Sequence, residues 1–127
     1  MAHSGLSEKR TRFDVSFDAE LWDADVRRLP EPARVQVTAA RKTIERDGID
    51  AGPPALYACQ AEGPDGTRLA GCVKHYVGDA RLIFVGDVDE AGRPFLRFLA
   101  AGPGHVPAGS HKPTAYELAD RRLNPRA

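Results

Sequence analysis

Residues 73–86, VKHYVGDARLIFVG, contain two runs of strand-forming residues on either side of Gly78-Asp79. Glycine readily adopts the positive φ that a two-residue hairpin loop requires, so this stretch predicts two antiparallel strands joined by a tight turn. The length of the loop also fixes the pairing of the strands and places Tyr76 opposite Arg81. We therefore expect this hairpin to form part of an antiparallel sheet.

Side chains alternate between the two faces of a strand, so the same register places Lys74, Tyr76 and Arg81 on one surface. A lysine, an arginine and an aromatic ring are suited to hold a phosphate and to stack on a base. Two solvated cations on an exposed sheet face would give the same pattern, and both interpretations stay open at this point. His75 points to the opposite face, where we expect a packed or partly exposed residue rather than a catalytic one.

Strand patterns also surround the hairpin in the second half of the chain, where Gly, Pro and Asp mark the turns. Strands are predicted at 56–62, 68–77, 81–88 and 94–100. The segment 48–54, GIDAGPP, predicts a linker. Residues 101–113 predict a long loop rich in glycine and proline, and loops of that length in compact domains are often functional.

The first half of the chain has a helical period instead. Residues 12–17, RFDVSF, alternate apolar and polar side chains and predict a half-buried strand. Two helices are predicted after it, the first capped by Asp18 and the second ended by Gly48. Pro30 and Pro32 separate the two helices, because proline is tolerated in a first helical turn but not in a helix interior.

A last helix is predicted from the T-x-x-E capping box that Thr114 and Glu117 form. The order of elements is then β-α-α-β-β-β-β-α. This order predicts an α+β domain: an antiparallel four- to five-stranded sheet, with an N-terminal helical hairpin packed on one face and a short C-terminal helix.

The 127 residues fit one domain, predicted to span 12–124 after a flexible polar tail at 1–11. Lys plus Arg and Asp plus Glu both number 18, and this balance disfavours a protein that coats nucleic acid over its whole surface. No apolar run reaches the roughly 18–20 residues of a membrane span, and the polar start is unlike a secretion signal. The sequence therefore predicts a cytoplasmic protein with no membrane contact.

Two cysteines, Cys59 and Cys72, lie in predicted strands. Because the cytoplasm is reducing, we expect two buried free thiols rather than a disulfide. The chain has neither a CxxC motif nor a ladder of Cys and His, so the sequence predicts no metal site.

Three stretches, taken in order, resemble the RelE/ParE superfamily of toxins from bacterial type II toxin–antitoxin systems. Residues 13–45, FDVSFDAELWDADVRRLPEPARVQVTAARKTIE, are similar to the family's opening strand, first helix, RLP break and second helix. Residues 73–102 resemble its basic strand, short turn, R-L-I-F strand and final apolar strand. Residues 115–123, AYELADRRL, resemble its terminal helix with a Tyr-x-x-Ala pattern.

The resemblance implies a compact α+β fold and a cognate antitoxin protein that wraps and neutralises the chain. In the RelE branch it also implies cleavage of messenger RNA on the ribosome. Cleavage in that branch uses no metal and no other cofactor, and the RNA's own 2′-hydroxyl attacks the phosphodiester. The protein helps to deprotonate this hydroxyl, offsets the charge on the phosphate and protonates the departing 5′-oxygen.

Matched residue by residue, the resemblance assigns catalytic roles to Lys74 on the basic strand, Arg81 at the start of the next strand and Tyr116 on the terminal helix. His105, in the long loop, is the reserve candidate for moving a proton, because histidine titrates near neutrality. Tyr76 and Lys112 are the expected RNA contacts.

Two departures from the family pattern keep other functions open. Cys72 and the pair Pro103-Gly104 stand at or near positions that are often basic in the family. One alternative is a ParE-like toxin that inhibits DNA gyrase by binding it, without chemistry of its own. Another is a catalytically inactive RelE-fold module that binds a protein partner.

Overall fold

The structure, a computed structural model, describes residues 11–125. The helices in this part of the chain are α1 (Ala19–Val26), α2 (Glu31–Asp47) and α3 (Ala115–Leu123). The strands are β1 (Arg12–Phe13), β2 (Val15–Ser16), β3 (Ile49–Asp50), β4 (Tyr57–Ala58), β5 (Cys72–Val77), β6 (Ala80–Val88) and β7 (Pro94–Pro103). The tail predicted at 1–11 lies outside the described residues except for Thr11. None of these three helices is long and apolar enough to cross a membrane.

Five strands form one sheet in the order β2-β7-β6-β5-β4. Strands β4 to β7 pair antiparallel, whereas β2 runs parallel to β7, with Val15 opposite Leu96. The α+β class and the number of strands are confirmed, but the prediction of a purely antiparallel sheet is wrong. The alternation in residues 12–17 indicates an extended segment, but it carries no information about which strand lies beside it or in which direction.

The predicted strand at 12–17 is divided in two at Asp14. The carbonyl oxygen of Asp14 accepts a hydrogen bond from the N–H of Leu96 at 2.9 Å, and β2 follows along β7. The residues before Asp14 form β1, which pairs antiparallel with β3 in a separate two-stranded sheet. β3 lies inside the segment 48–54, so the prediction of a linker there is wrong for its first residues.

Other strand bounds also differ from the predicted ones. The predicted strand at 56–62 is reduced to β4, because the chain beyond it is joined to residues 68 and 69 by an isolated bridge of Glu62 and Arg68 and not by a continuous ladder. β5 accordingly begins at Cys72 rather than at residue 68. β7 extends to Pro103, into the predicted loop, because its last residues stay paired with the start of β6.

Helices α1 and α2 cover one face of the sheet, where the larger core lies. Trp22 of α1 packs edge-on against Phe17 and Phe98, with ring centroids 5.4 and 5.3 Å apart. α1 lies mainly on β7, whereas α2 lies against β2, β5 and β6. The prediction of a helical hairpin on one face is therefore correct only in part: both helices cover that face, but each packs mainly on the sheet rather than on the other helix. Arg41 of α2 also reaches over the Trp22 ring at 5.0 Å.

Helix α3 packs on the opposite face of the sheet and completes a second core. Its Leu118 is buried against the side chains of Ile83 and Leu99. The predicted capping box is confirmed: the Glu117 N–H donates to the Thr114 hydroxyl oxygen at 3.1 Å, and the Thr114 N–H donates to the Glu117 carboxylate at 2.9 Å. This cap fixes where α3 begins, and with it the position of the side chains in its first turn.

The two cysteines are buried free thiols, as the sequence predicted. Burial raises the pKa of both Cys59 and Cys72 to about 11. The thiols are therefore protonated at neutral pH, and a protonated buried thiol is a poor nucleophile. Both side chains belong to the core beneath α3 and serve as small apolar residues there.

A buried ion pair joins α1 to α3 across the edge of β7. The side chain of Asp25 is fully buried, and its carboxylate oxygens lie 2.6 and 2.7 Å from the guanidinium nitrogens of Arg122. β2 pairs with β7 only as far as Arg97, so the rest of β7 has no neighbouring strand on this side among residues 11–125. There Asp25 accepts the N–H of Ala101 at 2.8 Å, and Arg122 donates to the carbonyl oxygen of Leu99 at 2.8 Å.

Candidate functional site

The hairpin of β5 and β6 has the predicted register, with Tyr76 opposite Arg81 and Lys74 opposite Ile83. Ile83 belongs to the core beneath α3, so Lys74, Tyr76 and Arg81 all lie on the face that carries α3. The prediction that these three side chains share one surface is confirmed. His75 lies on the other face, where its Nδ1 is 2.7 Å from a backbone carbonyl oxygen.

Arg81 is held between an aromatic ring and a glycine. Its Cζ lies 4.0 Å from the centroid of the Tyr76 ring, a cation–π distance. Its Nη1 donates to the carbonyl oxygens of Gly78 and Ala80 at 3.1 and 3.0 Å. Gly104 leaves room for the guanidinium, because a β-carbon at this position would lie 2.8 Å from Cζ. Within residues 11–125, Nε of Arg81 is buried without a hydrogen-bond partner, and only Nη1 donates to backbone carbonyl oxygens.

Lys74 lies over two tyrosine rings. Its Nζ is 5.3 Å from the ring centroid of Tyr116 and 5.7 Å from that of Tyr76. Burial lowers the pKa of Lys74, but its charge interactions with Tyr116 and Tyr76, together with a hydrogen bond to Tyr116, outweigh burial and hold the pKa above its ordinary value. Lys74 is therefore positively charged at neutral pH. It is suited to bind an anion rather than to accept a proton.

Lys74 and Arg81 differ from the other cations of the sheet in their surroundings. Neither Lys74 nor Arg81 forms an ion pair with a carboxylate in the part of the chain that the structure describes. Arg97 on β7, by contrast, pairs with Asp87 at 3.4 Å. Cations that are partly desolvated, positioned by aromatic rings and not neutralised by a carboxylate form a binding site for an anion such as a phosphate.

A cleft of about 500 Å³ opens beside Lys74, between the turn at 60–69 and the start of α3. Lys74, His105 and Tyr116 line its walls. The structure thus brings together three of the four residues that were predicted to be catalytic. His105 is exposed and Tyr116 is half-buried, so both side chains are open to a ligand in the cleft.

Arg81, the fourth predicted catalytic residue, adjoins the cleft without lining it. It is connected to the cleft by Gly104, which contacts the guanidinium and is part of the cleft wall. The candidate site is therefore a cleft containing Lys74, His105 and Tyr116, continued along the sheet face by Tyr76 and Arg81.

Two acidic side chains also line the cleft, but both bind nearby backbone groups. The Asp65 carboxylate accepts the backbone N–H of Thr67 at 3.3 Å and its hydroxyl at 2.9 Å. The Glu117 carboxylate accepts the N–H of Thr114 in the helix cap. Neither carboxylate forms an ion pair with Lys74 in the described part of the chain.

Lys112 was predicted to contact RNA, and it lies in the exposed segment between β7 and α3. It does not line the cleft, and neither does His111 beside it. An RNA contact at Lys112 therefore stays a prediction.

One residue of this surface was not among the predicted site residues. Tyr57 of β4 lies opposite Lys74, and its ring centroid is 5.4 Å from that of Tyr76. Both rings are exposed, to 39% for Tyr57 and 47% for Tyr76. The turn that connects β4 to β5 is long and irregular, so the sequence gives no register from which this contact could be read.

No protein-family model matches the chain, and no curated protein shows significant sequence similarity to it. The candidate site is therefore defined by its own geometry and charge.

Proposed function

We propose that this protein is a RelE-like toxin of a type II toxin–antitoxin system, acting as a ribosome-dependent endonuclease on messenger RNA. The observation that carries the proposal is the pair of cations Lys74 and Arg81, which have no carboxylate partner among residues 11–125. Tyrosine rings hold both cations on one sheet face, beside a cleft that also contains His105 and Tyr116. Cleavage of a phosphodiester without a metal requires cations that bind the phosphate and side chains that transfer protons.

In the proposed reaction the 2′-oxygen of the RNA forms a bond to phosphorus, and the bond from phosphorus to the 5′-oxygen breaks. A 2′,3′-cyclic phosphate and a free 5′-hydroxyl result. Lys74 and Arg81 bind the phosphate and stabilise the charge that develops on it. Since Lys74 stays protonated at neutral pH, the proton transfers fall to His105 and Tyr116: one accepts the proton of the 2′-hydroxyl, and the other donates a proton to the departing 5′-oxygen.

The test is induced expression of the protein in a bacterial host, followed by primer extension on ribosome-bound message. The expected result is growth arrest together with new 5′ ends on message that is being translated. Growth arrest with intact message and a loss of supercoiling activity in purified gyrase would replace this proposal by the ParE-like function. If growth continues without arrest, the remaining alternative is a catalytically inactive RelE-fold module that binds a protein partner.

One observation favours the ParE-like alternative. Cys72 and Gly104 stand where the family often has basic residues, and each has a structural role here. Cys72 is buried in the core beneath α3, and Gly104 makes room for the Arg81 guanidinium. An inhibitor that acts by binding gyrase needs no cations at these positions.

The proposed antitoxin partner needs an apolar surface on which to dock. An open hollow at the far end of β6 and β7 has this character, and its apolar lining includes Phe13, Val88, Phe95 and Leu96. Val88 is 62% exposed although it is aliphatic. Co-purification with the product of the adjacent gene tests this part of the proposal.

Replacing Gly104 by alanine is expected to reduce message cleavage by on the order of 10–100-fold, because small displacements of a phosphate-binding group are costly to catalysis. The new β-carbon would lie 2.8 Å from Cζ of Arg81, and the flexible guanidinium would have to move away. The free energy of unfolding should change little, since the group that moves is the end of a side chain. Primer extension and urea denaturation measure the two effects.

Gly86→Ala is the matched control, because a β-carbon at Gly86 meets nothing within 4 Å. It should cleave message like the unaltered protein. If the two alanine variants cleave equally well, Gly104 does not position Arg81.

A further inference from the structure

We infer that Tyr57 and Tyr76 form a second subsite, which stacks an unpaired nucleobase next to the phosphate held by Lys74 and Arg81. The inference rests on the proposed function in that it takes the ligand to be single-stranded RNA. The inference goes beyond the proposed function in two ways: it names Tyr57 as a binding residue, and it predicts which bases the site prefers.

The first support is where the exposed apolar side chains lie. Four large hydrophobic side chains are exposed among residues 11–125: Val35, Tyr57, Tyr76 and Val88. The two aromatic ones contact each other, with ring centroids 5.4 Å apart and planes inclined by 44°. Exposed tyrosines in contact form an apolar surface bounded by hydroxyl groups, which suits the face and the edge of a nucleobase.

The second support is the charge beside these rings. The Arg81 guanidinium lies 4.0 Å from the Tyr76 ring centroid, and the Lys74 ammonium lies 5.7 Å from it. Tyr57 is 39% exposed and has no such cation over its ring in the described part of the chain, so its ring is open to a ligand. A negatively charged ligand with an aromatic portion would satisfy the cations and the rings together.

The third support is the spacing. Tyr57 lies directly opposite Lys74 on the neighbouring strand, and neighbouring strands are about 4.8 Å apart. A base stacked on Tyr57 and a phosphate bound to Lys74 can therefore belong to one nucleotide. In a duplex the bases are already stacked on each other, so only an unpaired base can reach the tyrosine. Purines present the larger aromatic surface, so the subsite should prefer adenine to uracil.

The experiment measures the binding of fluorescent 2′-O-methyl oligoadenylate and oligouridylate by anisotropy. These probes lack the attacking hydroxyl and stay intact. The unaltered protein should bind oligoadenylate more tightly than oligouridylate. Tyr57→Leu should weaken oligoadenylate binding by about 5–100-fold and largely remove the preference, whereas Tyr57→Phe keeps the ring and should stay within about twofold. Val35→Ala, an exposed change on α2, should have no effect.

The outcomes separate this inference from the proposed function. If Tyr57→Leu loses oligoadenylate binding while no message is cut in cells, the subsite stands and the nuclease proposal falls. If Lys74→Ala loses binding but Tyr57→Leu binds oligoadenylate like the unaltered protein, the subsite is wrong and the nuclease proposal stands. Equal binding of both probes by the unaltered protein, or no binding of either, also overturns the subsite.

Discussion

Arg81→Ala and Lys74→Ala should each lower the rate of message cleavage by on the order of 10²–10³-fold, the usual effect of losing one group that stabilises charge in the transition state. Each variant should also relieve growth arrest. Both side chains are partly exposed, so their truncation opens no cavity in either core, and the fold and the binding of a partner should be preserved. Primer extension on ribosome-bound message measures the rate, and urea denaturation measures stability.

Arg121→Ala is the matched control for these variants. Arg121 is an exposed arginine on α3, and it does not line the cleft. The Arg121→Ala variant should cleave message at the same rate as the unaltered protein. If the Lys74 and Arg81 variants arrest growth as strongly as this control, the candidate site is wrong.

The comparison of Tyr116→Phe with Tyr116→Ala separates two roles of this tyrosine. If the ring positions Lys74 or stacks on a base, the phenylalanine variant should be the milder of the two, because it keeps the ring beneath Nζ. If the hydroxyl moves a proton, both variants should be equally impaired.

Arg122→Met should destabilise the protein by about 3–5 kcal/mol, the usual cost of removing one partner from a buried ion pair. The change leaves the fully buried carboxylate of Asp25 without its cation. It also leaves the carbonyl oxygen of Leu99 without the donor that it has in the ion pair. The free energy of unfolding in urea measures the loss.

Arg97→Met is the control for this prediction, since Arg97 pairs with Asp87 at the surface, where both side chains are about half exposed. Surface pairs contribute roughly 0–1 kcal/mol. The double variant Asp25→Leu/Arg122→Met should recover much of the lost stability, because it removes the unpaired charge. If Arg122→Met is no more destabilising than Arg97→Met, the ion pair does not hold α3 in place.

The part of the site that could be predicted from the sequence is the part that local rules determine. Gly78-Asp79 specifies a two-residue turn, and this turn sets the register that brings Lys74, Tyr76 and Arg81 to one face. The capping box of Thr114 likewise determines where α3 begins. Both signals act over a few residues and depend little on the rest of the chain.

The features that could not be predicted depend on contacts between distant segments. Val15 pairs with Leu96 and Tyr57 packs on Tyr76, and no turn of defined length connects the partners of either contact. Asp25 is buried and pairs with an arginine 97 positions further along the chain, and no local pattern around Asp25 indicates this contact. Periodicity indicates which segments are extended or helical, but it does not indicate which of them meet.

The ion pair of Asp25 and Arg122 also affects how copies of this protein behave towards each other. A strand edge with free N–H and carbonyl groups is a template on which a strand of another molecule can add. In this protein the Asp25 carboxylate accepts the N–H of Ala101 at this edge, and the Arg122 guanidinium donates to the carbonyl oxygen of Leu99. The same two side chains that join α1 to α3 therefore protect this edge of the sheet from self-association, so Arg122→Met should aggregate as well as unfold more readily.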